Sequence, residues 1–214
     1  MSAFAETMRL LYRANLWDGF VPRQGTGTVQ GWNGDHPALR RFAGAPGSRV
    51  IIDVGVWKGQ STIAMAASLR EAGVDGCVIA VDTFLGSPEH WGDEGLFTTR
   101  HGMPDIYETF LANVAAADLQ NFVVPTPQTA SSAAAILRRL GITASLVHID
   151  GDHAHGSVLQ DARDYWPILE PGGHLVGDDY HPNWPGVVRA AREFAGLVER
   201  PLAIDPPKWI IRKG

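Results

Sequence analysis

From residue 50 onward, short apolar runs alternate with stretches of helical period, and this alternation restricts the fold more than any other feature of the chain. Candidate strands are Arg49–Val54, Cys77–Val81, Phe122–Pro125, Ser145–Ile149 and His174–Gly177, with weaker ones near Val198–Ile204 and Trp209–Arg212. Helical patterns lie between them at Gln60–Ala72, Ile106–Ala117, Ser131–Leu140, Ser157–Leu169 and Val187–Leu197. The strands are nearly continuous apolar runs, the pattern of a parallel sheet buried on both faces. Right-handed crossovers then predict an α/β fold, a doubly wound sheet with helices on both faces. A length of 214 residues suits one such domain, expected over residues 37–214 after an N-terminal arm at residues 1–36.

Two stretches break the alternation. Trp17–Asp35 is rich in glycine around Trp17, Phe20 and Trp32, and the loop Gly86–Asp105 carries His90, Trp91, Asp93, Glu94 and His101. Loops of this length often cover an active site, so a lid is expected beside the plainer alternative of a surface excursion or dimer contact. With 18 basic against 23 acidic residues the net charge is -5, which argues against partners that need a basic face, nucleic acid or an anionic membrane. The single cysteine, Cys77, excludes an intrachain disulfide and a cysteine-based zinc site. No apolar run approaches the ~18–20 residues of a membrane span, and acids and arginines interrupt the first twenty residues where a signal peptide would be apolar. A soluble cytoplasmic protein is expected.

Val50–Thr62 reads as a strand, a tight turn and a helix start, with Gly55 at the sharp exit. Such a turn brings free N–H groups and the positive end of a helix to the carboxyl edge of the sheet, where open α/β sheets bind ligands. A dinucleotide turn needs G-x-G-x-x-G, yet the three glycine positions hold Gly55, Trp57 and Gln60, and tryptophan is a poor host for a diphosphate. The observed D-x-G-x-x-x-G, from Asp53 to Gly59, suits an adenosine ligand with a carboxylate and no phosphate, such as S-adenosylmethionine. Asp82 ends the next strand, where an acid accepts both ribose hydroxyls; NAD enzymes use the same device, so an NAD-dependent oxidoreductase stays open as the alternative.

Two further strand ends are acidic. Ile149–His153 reads IDGDH, and Gly177–Tyr180 reads GDDY. If those strands are neighbours ~4.8 Å apart, Asp150, Asp178 and Asp179 converge. Clustered carboxylates need a compensating cation, and all-oxygen ligation suits a hard ion such as Mg²⁺. Separate helix-capping roles are the plainer alternative. Five of the eight histidines fall between His148 and His181. His148 and His174 sit inside strand patterns as core or supporting residues, whereas His153, His155 and His181 occupy strand-end or loop positions.

The runs IDVGVWKGQST (Ile52–Thr62), VDTFLGSPEHW (Val81–Trp91), IDGDH (Ile149–His153) and PGGHLVGDDY (Pro171–Tyr180) resemble class I S-adenosylmethionine-dependent methyltransferases. More narrowly they resemble the small metal-dependent O-methyltransferases of macrocin and novobiocin type, over roughly residues 30 to 214. That resemblance implies a Rossmann-like seven-stranded sheet with an antiparallel last strand. It implies that Asp53, Gly55, Trp57, Gly59, Ser61, Asp82 and Asp150 surround the cofactor, with Asp82 on its ribose. It also implies Asp150, Asp178 and Asp179 as magnesium ligands and Asp152 as general base. His155 and Gly156 depart from the tyrosine and acid common in that family, and the adenine loop near Gln128–Ser131 matches weakly.

The expected reaction is displacement of the sulfonium methyl by a hydroxyl oxygen, assisted by Mg²⁺. Asp152 takes the proton, with His153 or His181 as rivals because histidine titrates near neutrality. The narrower resemblance points to a saccharide or glycoside acceptor, with a catechol-like hydroxyl as alternative. Trp17, Trp32, Trp91 and Trp184 are candidates to stack on it, or else core or interface anchors. A homodimer is the expected assembly.

Overall fold

The computed structural model describes residues 1–22, 29–93 and 95–214. Residues 23–28 of the glycine-rich stretch and Glu94 of the long loop lie outside the described residues. The chain begins with α1 (Ala3–Tyr12) and α2 (Pro37–Ala43), followed by β1 (Val50–Val54), α3 (Gln60–Glu71) and β2 (Cys77–Asp82). The long loop holds a single helical turn, α4 (Pro88–Trp91), and a two-stranded hairpin of β3 (Thr99–Arg100) and β4 (Met103–Pro104). Then come α5 (Ile106–Ala116), β5 (Val123–Pro127), α6 (Ala130–Arg139), β6 (Ala144–Ile149) and α7 (His155–Tyr165). The last elements are β7 (Leu169–Gly177), α8 (Pro185–Leu197), β8 (Leu202–Asp205) and β9 (Lys208–Arg212).

The seven-stranded sheet has the order β5-β2-β1-β6-β7-β9-β8. From β5 to β7 every pairing is parallel, and β9 runs antiparallel between β7 and β8. Ile51, Ile52, Val78, Ile79, Val123, Val124, Val147, Leu175 and Val176 are all buried, so both sides of these strands enter the core, as their unbroken apolar sequence requires. Helices α2 and α3 pack on one another, as do α6, α7 and α8 in series, and they bury the sheet. Cys77 lies in the core as a free cysteine, and burial pushes its thiol up to about 11.

The N-terminal residues pack against the sheet. Ser2 accepts the Ala5 N–H to cap α1, whose Ala3, Phe4 and Met8 enter the core. Trp17 is 8% exposed and donates its Nε1–H to the Val123 carbonyl at 2.8 Å, which makes it a core anchor beside β5. The strand predicted at His174–Gly177 begins earlier, at Leu169. Its first half carries Pro171, Gly172 and Gly173, which interrupt apolar periodicity, and the β6–β7 register shifts there, with Ala144 opposite Leu169 but Leu146 opposite His174. The preceding helix accordingly ends at Tyr165.

Candidate active site

The carboxyl edge of the sheet brings together the ends of β1, β2, β6 and β7. The Gly55 N–H donates to the Val81 carbonyl at 2.9 Å, that of Asp150 to Val54 at 2.8 Å and that of Asp178 to Ile149 at 3.0 Å, so these ends are tied in series. Gly55 has φ +84°, and a Cβ there would stand 2.0 Å from the Asp150 carbonyl oxygen. Only glycine allows the β1 turn and the β6 end to pack so closely. Gly59, at φ +97°, opens α3 with no side chain to cap it. Trp57 between them also takes a left-handed φ of 50°.

Asp82 stands at the end of β2, and its two oxygens accept backbone N–H groups from Trp57 (2.9 Å) and Phe84 (2.7 Å). Burial pushes its carboxyl above the ordinary range, against the lowering effect of those two bonds. Asp53 is fully buried, and its carboxylate accepts from Ser61 Oγ at 2.8 Å and Thr62 Oγ1 at 2.6 Å. The Asp53 and Ser61 side chains therefore meet beneath the turn.

The two irregular stretches meet above it. His90 packs on Trp57 with ring centroids 4.0 Å apart and stacks against Trp32 at 5.9 Å. The Lys58 ammonium donates to Gln30 Oε1 at 3.2 Å and to the Leu96 carbonyl, clasping both stretches, and burial lowers its pKa. Trp57 Nε1 is buried without a partner among the described residues.

At the ends of β6 and β7, Asp150, Asp152, His153, Asp178 and Asp179 line one small cavity of about 10 Å³, together with Trp209, whose buried Nε1 is also unpartnered among the described residues. That volume is room for about one water. His153 Nε2 lies 2.9 Å from Asp179 Oδ2, and the imidazole stacks on Trp184 at 3.8 Å. The bond to Asp179 raises the His153 pKa. At Asp152, burial acts upward, but the Ser157 hydroxyl, the Ala154 and His153 N–H groups and the His153 charge outweigh it, leaving the carboxyl below its ordinary range. Burial, with the charges of Asp178 and Asp179, drives the Asp150 carboxyl well up, partly relieved by Lys208. His181 is exposed and accepts the Asn183 N–H on Nδ1, and His155 bonds Glu193 at 2.8 Å between α7 and α8, so neither lines the cavity.

The three carboxylates expected to hold Mg²⁺ do line one cavity, but their oxygens are not left free to share an ion. Asp150 and Asp178 offer oxygens within 4.8 Å of one another, but the third member of the group is His148, and Asp179 is committed to His153. Asp178 Oδ2 accepts from the Lys208 ammonium at 2.6 Å, and its Oδ1 accepts the Asp179 N–H at 2.7 Å. Both His148 nitrogens are also engaged, by Asp53 at 2.8 Å and Lys208 at 3.1 Å. A hard ion takes several free oxygens, and this donor set, threaded by an ammonium, does not fit one. Lys208 is the site residue that sequence reasoning passes over, because a lysine opening a strand reads as solvent-facing.

The methyltransferase-domain family profile matches residues 52–180, more than half of the chain, and the chain belongs to that family. Among solved structures, its fold is similar to that of the O-methyltransferase NovP, at 23% identity over 82% of this chain and 78% of that one, with a TM-score of 0.60. It is similar to the calicheamicin methyltransferase CalS11, at 20% identity over 83% and 76% of the two chains, with a TM-score of 0.59. It is also similar to the O-methyltransferase TomG from Streptomyces achromogenes, involved in tomaymycin synthesis and solved in complex with SAM, at 15% identity over 99% and 90% of the two chains, with a TM-score of 0.58.

Proposed function

We propose that this chain is an S-adenosylmethionine-dependent O-methyltransferase acting on a hydroxyl of a small molecule, with a saccharide or glycoside as the acceptor class. One observation carries the reading: the Gly55 turn, Asp82 and the group Asp150, Asp152 and His153 stand at one edge of a parallel sheet in a chain of the methyltransferase-domain family. The residues suit the cofactor, since α3 starts without a side-chain cap, an acid ends β2 and the buried Trp57 Nε1 lacks an acceptor among the described residues. When bound, S-adenosylmethionine supplies an electrophilic methyl group. The saccharide preference draws support from CalS11, described as a TDP-rhamnose 3'-O-methyltransferase.

In this reading Asp82 accepts the ribose hydroxyls on the lone pairs left by Trp57 and Phe84. Proton removal falls to Asp152 or to His153. Asp152 is exposed and ionised well below neutral pH, which makes it the weaker base. His153 is oriented through Nε2 by Asp179 and held flat by Trp184, and its Nδ1, 3.8 Å from the exposed Glu89 carboxylate, is the nitrogen that meets the acceptor hydroxyl in this reading. No step runs through a divalent ion. A homodimer remains the proposed assembly, with exposed Trp32 and Trp91 available to a second copy or to the acceptor.

Calorimetry with S-adenosylhomocysteine against NADH tests the cofactor, followed by methyl-transfer assays on sugars, glycosides and catechols. Binding of S-adenosylhomocysteine alone is expected, and saturable NADH binding in its place overturns the reading. Asp152→Asn and His153→Ala then separate the bases. Activity near wild type in either variant removes that residue from the role.

A further inference from the structure

A buried lysine lies where the sequence leads one to expect a metal. Lys208 is fully buried at the start of β9. Because β9 runs antiparallel beside β7 with Trp209 opposite Gly177, Lys208 comes level with Asp178 at the carboxyl edge. Its ammonium lies 2.6 Å from Asp178 Oδ2 and 3.1 Å from His148 Nε2. An ammonium only donates, so His148 Nε2 accepts, which places the ring proton on Nδ1 facing Asp53 Oδ1 at 2.8 Å. Asp53 in turn accepts from Ser61 and Thr62 in the first turn of α3. A buried chain of hydrogen bonds thus runs from the cofactor-side turn through β1, β6 and β9 to Asp178.

Among the described residues, the group whose ligand atoms come within 4.8 Å of one another is His148, Asp150 and Asp178. Lys208 bonds two of the three. Burying an ammonium is costly unless it is paired, and so is packing carboxylates without a cation. Here each cost offsets the other.

We propose that the Lys208 ammonium is the resident cation of this acidic cluster, positioning Asp178 so that cofactor binding and methyl transfer proceed without a divalent ion. This rests on the methyltransferase reading above.

The test uses the full chain after chelator treatment. Mn²⁺ is titrated while electron paramagnetic resonance reads the free ion, and calorimetry measures S-adenosylhomocysteine affinity with and without Mn²⁺. The wild type is expected to show no saturable Mn²⁺ site below about 1 mM and a cofactor affinity unchanged within about twofold. Lys208→Met and Lys208→Gln, with the ammonium gone, are expected to gain a Mn²⁺ site at least about tenfold tighter. A wild-type site saturating at micromolar Mn²⁺ overturns the proposal. Folded Lys208 variants that bind Mn²⁺ no better than the wild type also overturn it, and if neither variant folds, the wild-type titration alone decides. Failure of the folded wild type to bind S-adenosylhomocysteine under any condition refutes the methyltransferase reading instead, whatever the Mn²⁺ result.

Discussion

Replacing Asp161 with asparagine isolates the electrostatic load that α7 carries beneath the turn holding Asp152. Asp161 is buried, its carboxylate lies against Gly151, and burial, followed by repulsion from Asp164 and Asp152, carries its pKa from 3.8 to about 7. A carboxyl raised on folding leaves the native state fully favoured below the unfolded pKa, and stability falls as pH rises toward the folded value. At 1.36 kcal/mol per pH unit, the loss between pH 3.8 and 7 amounts to at most ~4 kcal/mol. The amide of the Asp161→Asn variant cannot ionise, so its advantage over the wild type grows across that window. Between about pH 5 and about pH 8.5 the gap should widen by ~2–3 kcal/mol in favour of Asp161→Asn. Urea denaturation of both proteins at each pH measures it, and taking the difference between the two pH values removes any pH-independent packing change. A gap that stays flat, or that closes toward alkaline pH, refutes the assignment.

Other substitutions reach the remaining parts of the structure. Gly55→Ala puts a Cβ against the Asp150 carbonyl at a left-handed φ; we expect at least ~3 kcal/mol of destabilisation or no soluble protein, read by thermal melting. Asp82→Asn keeps one acceptor and sets its amide NH2 against the other backbone N–H, so S-adenosylhomocysteine should bind about tenfold more weakly by calorimetry and stability should fall by ~1–3 kcal/mol in urea. Trp17→Ala removes a buried indole and its bond to Val123, at a cost of ~3–5 kcal/mol in urea.

The strands that build the site are legible because each is a short apolar run closed by an acid or a glycine, and β1, β2 and β6 lie within a residue or so of their predicted bounds. Asp82, Asp150 and Asp178 stand at the sheet edge as the sequence predicts, since parallel register carries every strand end to the same side. What cannot be read depends on contacts distant in sequence. Asp179 takes φ 59° and turns to His153, a choice made by the turn after β7 rather than by the GDDY pattern. Lys208 gains its meaning only when β9 inserts between β7 and β8. Helix α1 is absent from the sequence reading although Phe4, Met8 and Leu11 fall at helical spacing, because Glu6 and Arg9 in the opening residues weigh there only against an apolar leader.

At the outer border of the sheet, alternate carbonyls of β5 point away from β2, and two of them are already taken. Trp17 occupies the Val123 oxygen and the Tyr12 hydroxyl occupies Pro125 at 2.7 Å, while Pro125 itself has no N–H to offer. A foreign strand approaching that border finds its hydrogen-bonding sites spoken for by two side chains from the start of the chain. The opening helix and the tryptophan after it thus act as a guard against edge-to-edge association.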